Sequence, residues 1–338
     1  MNPTLLIPIL VSFLLTFLVM PIWINKAKNI GLSWDDMNKI KKEKVSGSGG
    51  LIVIFGFIIG VFTYIAYRVF ILKTTNNFLV QLFALISVIL ILAGIGLIDD
   101  LFGWKKGGIR RRTRVILTAI SAIPLMAINA GKSISSLPFI GTTDLGILYP
   151  LILIPLGVAG ATTTYNFLAG YNGLEAGQGI ILLSAIALIS YTTGTSWLSV
   201  ISLIMVASLI AFLIFNFYPA KVFPGDILTY SVGGLIAIAS ILGNFEKIAL
   251  FFFIPYILET ILKSRGKLLK QSFGKPNKDG SLDLKYDKIY SLTHLSIYLM
   301  KKFNITPTEK KVVYSIWIFQ LIIIILGFII FKKGIFRI

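Results

Sequence analysis

Three short stretches hold the residues whose types and spacing could do chemistry. Asp99-Asp100 ends the apolar run Ile95-Gly96-Leu97-Ile98. Adjacent carboxylates repel each other and are costly to desolvate at a membrane boundary, so such a pair suits binding a metal or positioning a phosphate nucleophile. A solvated helix end is the plainer alternative. Phe223-Pro224-Gly225-Asp226 places an isolated acid at the mouth of a second apolar run. The stretch 165–178 carries Asn166, Asn172, Glu175 and Gln178, with Gly170, Gly173 and Gly177 between them. Polar side chains and glycine-rich backbone cannot face lipid, where they would lack hydrogen-bond partners, so this stretch lines a wet cavity or leaves the membrane. Carboxylates and amides are hard oxygen donors; one or two of them, completed by phosphate oxygens and water, suit Mg²⁺. With no cysteine and a single histidine, His294, a zinc site is not expected. His294 itself reads as structural. Phe223 could stack on a nucleobase or anchor in lipid.

The elements that must position these residues are membrane spans. Of the 338 residues 56% are hydrophobic and 14% charged, where a soluble chain has about 25% charged. Mean hydropathy is +0.87. The expected architecture is all-α, a single integral membrane domain over 1–338, with about ten transmembrane helices. They are expected near 4–25, 49–71, 78–98, 113–130, 146–165, 179–195, 197–217, 227–243, 247–263 and 312–331. The first apolar run reads as a span rather than a cleavable signal. Internal repeats of the transporter kind are not visible.

Ten spans place both termini on one side. The loops 26–48, 99–114, 218–226 and 263–311 then share the opposite side and carry 25 of the 32 Lys and Arg residues. That side should be cytoplasmic. It also receives Asp99-Asp100, stretch 165–178 and Phe223–Asp226, so the active site is expected on the cytoplasmic face of the cell membrane. A transporter would place such residues near the midplane. The net charge of +18 fits anionic lipid beside cytoplasmic loops and needs no nucleic acid. Loop 264–311 is long and basic, suited to an anionic ligand, with a turn signal at Asn277-Lys278-Asp279-Gly280. Lys332, Lys333 and Arg337 form a basic tail on the face that the charge rule leaves poor in cations.

The order and spacing of these motifs resemble the polyprenyl-phosphate N-acetylhexosamine-1-phosphate transferases, nearest the archaeal and eukaryotic enzymes that use UDP-GlcNAc and dolichyl phosphate. The resemblance rests on Asn166–Gln178, Asp36-Met37-Asn38-Lys39, Asp99-Asp100 and Phe223–Asp226, and covers nearly the whole chain. It implies transfer of GlcNAc-1-phosphate from UDP-GlcNAc to a polyprenyl phosphate with release of UMP, the first step of N-glycan-type assembly. It further implies Asn166 and Asp226 as ligands of Mg²⁺ (or Mn²⁺), Asp99 and Asp100 at the phosphates, and Gly170, Asn172 and Phe223 around uracil. Asp36, Asn38, Lys39, Lys106, Glu175, Arg265, Lys267 and Lys270 are expected near the phosphates or sugar. A homodimer is compatible with the family. Three departures stand out: no third acid or amide follows Asp100, Val45–Gly50 replaces a Pro-Glu element, and loop 264–275 lacks the Arg-His-Arg of the eukaryotic sugar loop. The same chemistry on UDP-MurNAc-peptide, or a lipid or anion transporter, is the alternative reading.

Overall fold

The computed structural model describes residues 3–74, 78–132, 134–137 and 141–336, with backbone alone for 3, 105, 106, 134–137 and 141–143. Long apolar runs become helices because only a helix satisfies its own backbone within lipid. Among the described residues seven helices are long and apolar enough to cross a membrane: α1 (Leu6–Asn29), α2 (Gly50–Ala66, extended by one wider turn to Ile71), α3 (Phe78–Lys106), α7 (Leu174–Thr192), α8 (Ser196–Asn216), α9 (Gly225–Gly243) and α13 (Glu309–Ile330). Of the other three expected spans, two are broken and one is a continuous but less apolar helix. Residues 113–130 form α4 (Arg111–Ile120) and α5 (Ile123–Ala127), where Pro124 starts a new helix. Residues 146–165 give one wider helical turn, Tyr149–Leu153, that runs directly into α6 (Ile154–Phe167). Residues 247–263 divide into α10 (Glu246–Phe252) and α11 (Ile254–Arg265), with Pro255 in the first turn of the second. Proline lacks the N–H that would continue the preceding helix and fits the first turn of the next.

Helix α9 is the centre of the bundle. Of its apolar stretch 89% is buried, against 22% for α1 at the periphery. It packs against α3 and α6, while α7 packs on α8 and α1 on α2 and α8. Gly96 sets the approach of α3 to α9: a Cβ there would lie 2.6 Å from the Asp226 carbonyl oxygen and from the Ile227 backbone. Small residues at such crossings are how membrane helices come close. The close approach brings Asp99 and Asp100 beside the first turn of α9.

Three two-stranded antiparallel ribbons complete the fold: β1 (Ser33–Asp35) with β2 (Lys44–Ser46), β3 (Ile134–Leu137) with β4 (Gly141–Asp144), and β5 (Lys275–Pro276) with β6 (Leu282–Asp283). The first ribbon docks on the segment before α9, the Phe223 amide donating to the Ser46 carbonyl at 2.7 Å. The expected turn at Asn277–Gly280 closes β5 onto β6. Loop 264–311 is more ordered than its composition suggests, since it also contains α12 (Leu292–Lys302). That helix is capped by the Ser291 hydroxyl, which accepts from the Thr293 amide.

Candidate active site

A cavity of about 670 Å³ opens where α3 and α6 end and α7 and α9 begin. One wall carries charge. Asp99 is 3% exposed; its Oδ1 accepts from the Ile109 amide at 2.7 Å. Its Oδ2 pairs with Arg114 Nε at 2.7 Å and accepts from the Tyr230 hydroxyl at 3.2 Å. Asp100 accepts from the Asp226 amide at 2.7 Å and from the Ser48 hydroxyl at 2.9 Å. The pair therefore splits: Asp99 orients Arg114, and Asp100 ties the turn before α9 to the chain before α2. That turn needs Gly225, whose φ is +73° and whose Cβ would lie 2.2 Å from Asp100 Oδ2. Ser48 belongs to the stretch Val45–Gly50 that leads into α2. Arg114 NH1 also lies 3.6 Å from Asp226 Oδ2. Thr229, one turn on, donates to Asn166 Oδ1 at 3.2 Å, joining the end of α6 to α9.

The opposite wall is a web of amides. Asp36 Oδ2 accepts from Asn172 Nδ2 at 3.1 Å and pairs with Lys39 at 3.1 Å, while Oδ1 takes the Asn38 amide. Burial alone would lower the Lys39 ammonium, but the hydrogen bond and charge of Asp36, with Glu43, hold it above its ordinary value. Asn38 donates to the Gly170 carbonyl at 3.0 Å and accepts from the Gly274 amide at 3.3 Å, bridging three loops. Glu175 Oε1 accepts from the Gly170 amide at 2.8 Å; its Oε2 is buried and makes no hydrogen bond among the described residues. Glu309, in the first turn of α13, accepts from the Asn172 amide at 2.9 Å. Asn216 Oδ1 accepts from the Gly173 amide at 3.1 Å and Nδ2 donates to the Val222 carbonyl at 2.9 Å, tying this wall to the other.

The third side is the returning loop after α11. The Lys263 ammonium donates to the Ser272 hydroxyl at 2.6 Å, and the Thr293 hydroxyl to the Ser272 carbonyl at 2.6 Å. His294 contacts the Phe273 carbonyl through Nε2 at 3.2 Å and the Tyr290 amide through Nδ1 at 3.4 Å. Nδ1 must therefore accept, and Nε2 carries the proton. Burial pushes this imidazole below its usual range, so it is neutral and structural. Phe273 is thereby held over Gly170, whose φ of +107° and missing Cβ leave room for its ring.

Of the residues expected at the site, Asp36, Asp99, Asp100, Asn166, Gly170, Asn172, Glu175, Phe223 and Asp226 line the cavity. Asn38 and Lys39 do not line it and act from behind, through Gly170 and Asp36. Arg265, Lys267 and Lys270 are not brought there. The chain turns sharply after α11, and the Lys270 ammonium packs over the rings of Tyr286 and Tyr290 at 4.9 and 5.9 Å. The Lys106 side chain lies outside the described residues. Gln271 and Phe273 reach the cavity from this loop instead. Arg114, Tyr230, Ser48 and Thr229 went unselected in the sequence. Arg114 sits in the cationic run 105–114, which reads as a topology signal or as a hold for a lipid phosphate, and only its lining up with Asp99 and Asp226 sets it apart from its neighbours.

Among the described residues no three His, Cys, Asp or Glu side chains converge into a ready-made metal cage. An ion that keeps water and takes its other ligands from phosphate does not need one. Asp99 and Asp226 share one guanidinium with Asp100 beside them, so three carboxyl groups face a single cation, and Asn166 adds an amide oxygen nearby. The donor set fits Mg²⁺.

The profile of glycosyl transferase family 4 matches residues 82–244. A Saccharolobus solfataricus protein with the provisional name UDP-N-acetylglucosamine–dolichyl-phosphate N-acetylglucosaminephosphotransferase is 37% identical over 327 residues, 95% of this chain and 96% of the relative. The Dictyostelium discoideum protein of that name is 30% identical over 284 residues, 72% and 68% of the two chains. A phospho-N-acetylmuramoyl-pentapeptide-transferase of Oceanobacillus iheyensis is 31% identical over 270 residues, 76% and 81%. With the motifs of the sequence gathered around one cavity and likeness along nearly its whole length, this chain belongs to glycosyl transferase family 4.

Proposed function

We propose that the protein transfers GlcNAc-1-phosphate from UDP-GlcNAc to a polyprenyl phosphate of the dolichyl type. The products are lipid-diphosphate-GlcNAc and UMP. The observation that carries this reading is the division of the cavity into a carboxylate–guanidinium wall, suited to phosphates, and an amide wall around Gly170, suited to a flat base. The relatives named for UDP-GlcNAc and dolichyl phosphate support the choice of substrates.

In the reaction an oxygen of the lipid phosphate bonds to the β-phosphorus of UDP-GlcNAc, and the bond to the bridging oxygen breaks, its electron pair leaving with UMP. A phosphate monoester has its second pKa near ~6 and is largely ionised at neutral pH, so no strong base is required. The hydrogen bonds around Asp99 and Asp100 agree, for both carboxylates are engaged as acceptors. Asp99 holds Arg114 where it can meet charge developing on the pyrophosphate, and Asp100 fixes the Asp226 turn; such transfer rests on positioning and charge neutralisation. Asp226 and Asn166 would hold Mg²⁺ or Mn²⁺, which supplies charge neutralisation of the diphosphate when bound. Phe223 would cover the base and Asn172 meet its edge. Glu175 Oε2 is the acceptor left for a ligand donor.

Purified protein should release UMP from UDP-GlcNAc only with polyprenyl phosphate and a divalent cation present. Folded protein that prefers UDP-MurNAc-peptide, or releases no UMP, would overturn the assignment. The cavity is proposed to face the cytoplasm. Single cysteines placed in 270–290 of this cysteine-free chain should react with an impermeant thiol reagent from that side alone. Labelling in intact cells would reverse the orientation.

A further inference from the structure

A second cavity, of about 400 Å³, lies at the far end of the bundle. Helices α7, α9 and α13 begin at the active site, with Glu175, Asp226 and Glu309 in their first turns. Their last residues are followed by Thr193, Asn244 and Phe331, all of which line this second cavity. Nineteen residues of α9 place it about 28 Å from the first.

Lys132, Lys247 and Lys333 converge on it from three separate segments. Only seven of the chain's 32 Lys and Arg residues belong to this end, so three of the seven share one bowl. Cations on the face opposite the basic loops run against the usual distribution and call for a local reason. None of the three makes an ion pair among the described residues. Lys247 lies 6.0 Å from the centre of the Phe331 ring. The acid in the lining, Glu246, takes the Tyr149 hydroxyl as a donor. One carboxylate against three ammonium groups leaves the bowl positive. The remaining wall includes Phe245, Ile248 and Ile330, so the site pairs an anion-attracting rim with apolar surface at the level where spans end.

We propose that this bowl binds the phosphate of an anionic membrane lipid in the leaflet opposite the active site. Phosphate oxygens accept from several ammonium groups at once, and the apolar wall receives the start of the acyl chains. A free phosphate shares the first chemistry and lacks the second. The volume lies within the range of small-molecule sites, about 300–1,000 Å³.

The test uses the full chain in nanodiscs of zwitterionic lipid with increasing phosphatidylglycerol, reading lipid retained in native mass spectra and the melting temperature. Wild type should retain phosphatidylglycerol and gain melting temperature as its fraction rises. Lys132→Gln, Lys247→Gln and Lys333→Gln should each weaken retention by about fivefold, and the triple variant should lose the melting shift. The three Lys→Arg changes should keep both. UMP release in zwitterionic discs should be unaltered in all variants, which separates this proposal from the assignment of the first cavity. Equal retention by wild type and the triple Gln variant would assign the lysines to the helix ends alone and overturn the proposal. A melting shift produced by inorganic phosphate, with displacement of the lipid, would overturn the lipid assignment in favour of a free anion.

Discussion

On the carboxylate wall of the active site Asp99 and Asp226 share one arginine with Asp100 beside them, and all three sit at the ends of long spans. On the amide wall Asp36 is divided among Lys39, Asn172 and Asn38, and its supports come from loops. The first wall has negative charge left over after its own contacts, which a cation and a transferring phosphoryl group can use. The second also holds carboxyl groups, but Asp36, Glu175 and Glu309 each accept from an amide of the wall, and what it offers is shape: a carbonyl-and-amide rim around Gly170 with Phe273 above it. Chemistry and recognition are thus placed on elements of different rigidity. Helix ends fix the reacting groups to the bundle core, whereas loops can vary the ligand without disturbing them.

That contrast predicts unequal costs. The largest should follow Asp226→Ala, which removes a proposed metal ligand and one of the two partners of Arg114 while leaving the α9 backbone amide on Asp100. Turnover should fall by about 10³-fold with the protein still folded, and added Mg²⁺ should not restore it. Wild-type-like UMP release would take Asp226 out of the site. Gly225→Ala comes next. Its Cβ would push Asp100 away, and φ of +73° strains any L side chain by about 1–3 kcal/mol. Both turnover and melting temperature should drop. A variant with normal melting and normal rate would mean that the turn relaxes freely.

How far the sequence revealed all this follows the same division. The carboxylate wall was legible because its acids stand alone at the ends of apolar runs, where charge is rare and unexplained. Asn166, Gly170 and Asn172 were legible from the glycine-bearing polar stretch. Arg114 was not, since a guanidinium beside three others carries no local mark; only the fold aims it. Arg265, Lys267 and Lys270 were expected at the site because they are charged, yet Phe273 and Gln271 reach it, and nothing in their spacing sets them apart from ordinary loop residues. Seven spans were readable from uninterrupted apolar length. Of the other three expected spans, two are interrupted where Pro124 and Pro255 start a new helix, and the third is a continuous helix over 149–167 whose last turns carry Thr162, Thr163, Thr164 and Asn166. Loop 264–311 hides its order because its pins, Ser272 on Lys263 and Thr293, and Ser291 on Glu259, join residues distant in sequence.

Asn172→Ala probes the amide wall directly. The side chain is shared between Asp36 and the cavity, so removing it should weaken UDP-GlcNAc by about 1–3 kcal/mol and leave polyprenyl phosphate nearly unaffected. Paired titrations of the two substrates measure this. Equal losses for both would make Asn172 a support for the loop rather than a reader of the base, and the two walls would then differ less in role than in position.

The smallest effect expected lies behind that wall, at His294. Its neutral ring accepts from the Tyr290 amide and donates to the Phe273 carbonyl, and protonation would remove the first contact. Tyr286 faces the ring edge-on at 5.7 Å, and the charges of Lys263 and Lys285 also disfavour the protonated form. Because the folded-state pKa is lowered, the unfolded chain binds the proton first as pH falls. The stability His294 contributes is therefore complete above about 6.5, its unfolded value, and is lost as pH drops toward the lower folded value. The Phe273 loop should accordingly become more susceptible to proteolysis within 264–291 between pH 7.5 and 5.5, while the span-anchored carboxylate wall stays protected. His294→Gln keeps a donor for the Phe273 carbonyl and cannot titrate, so its cleavage pattern should hold constant over that interval. A wild-type pattern equally indifferent to pH would show that Thr293 and Lys263 fix the loop without help from the imidazole, and that the amide wall is as firmly mounted as the carboxylate one.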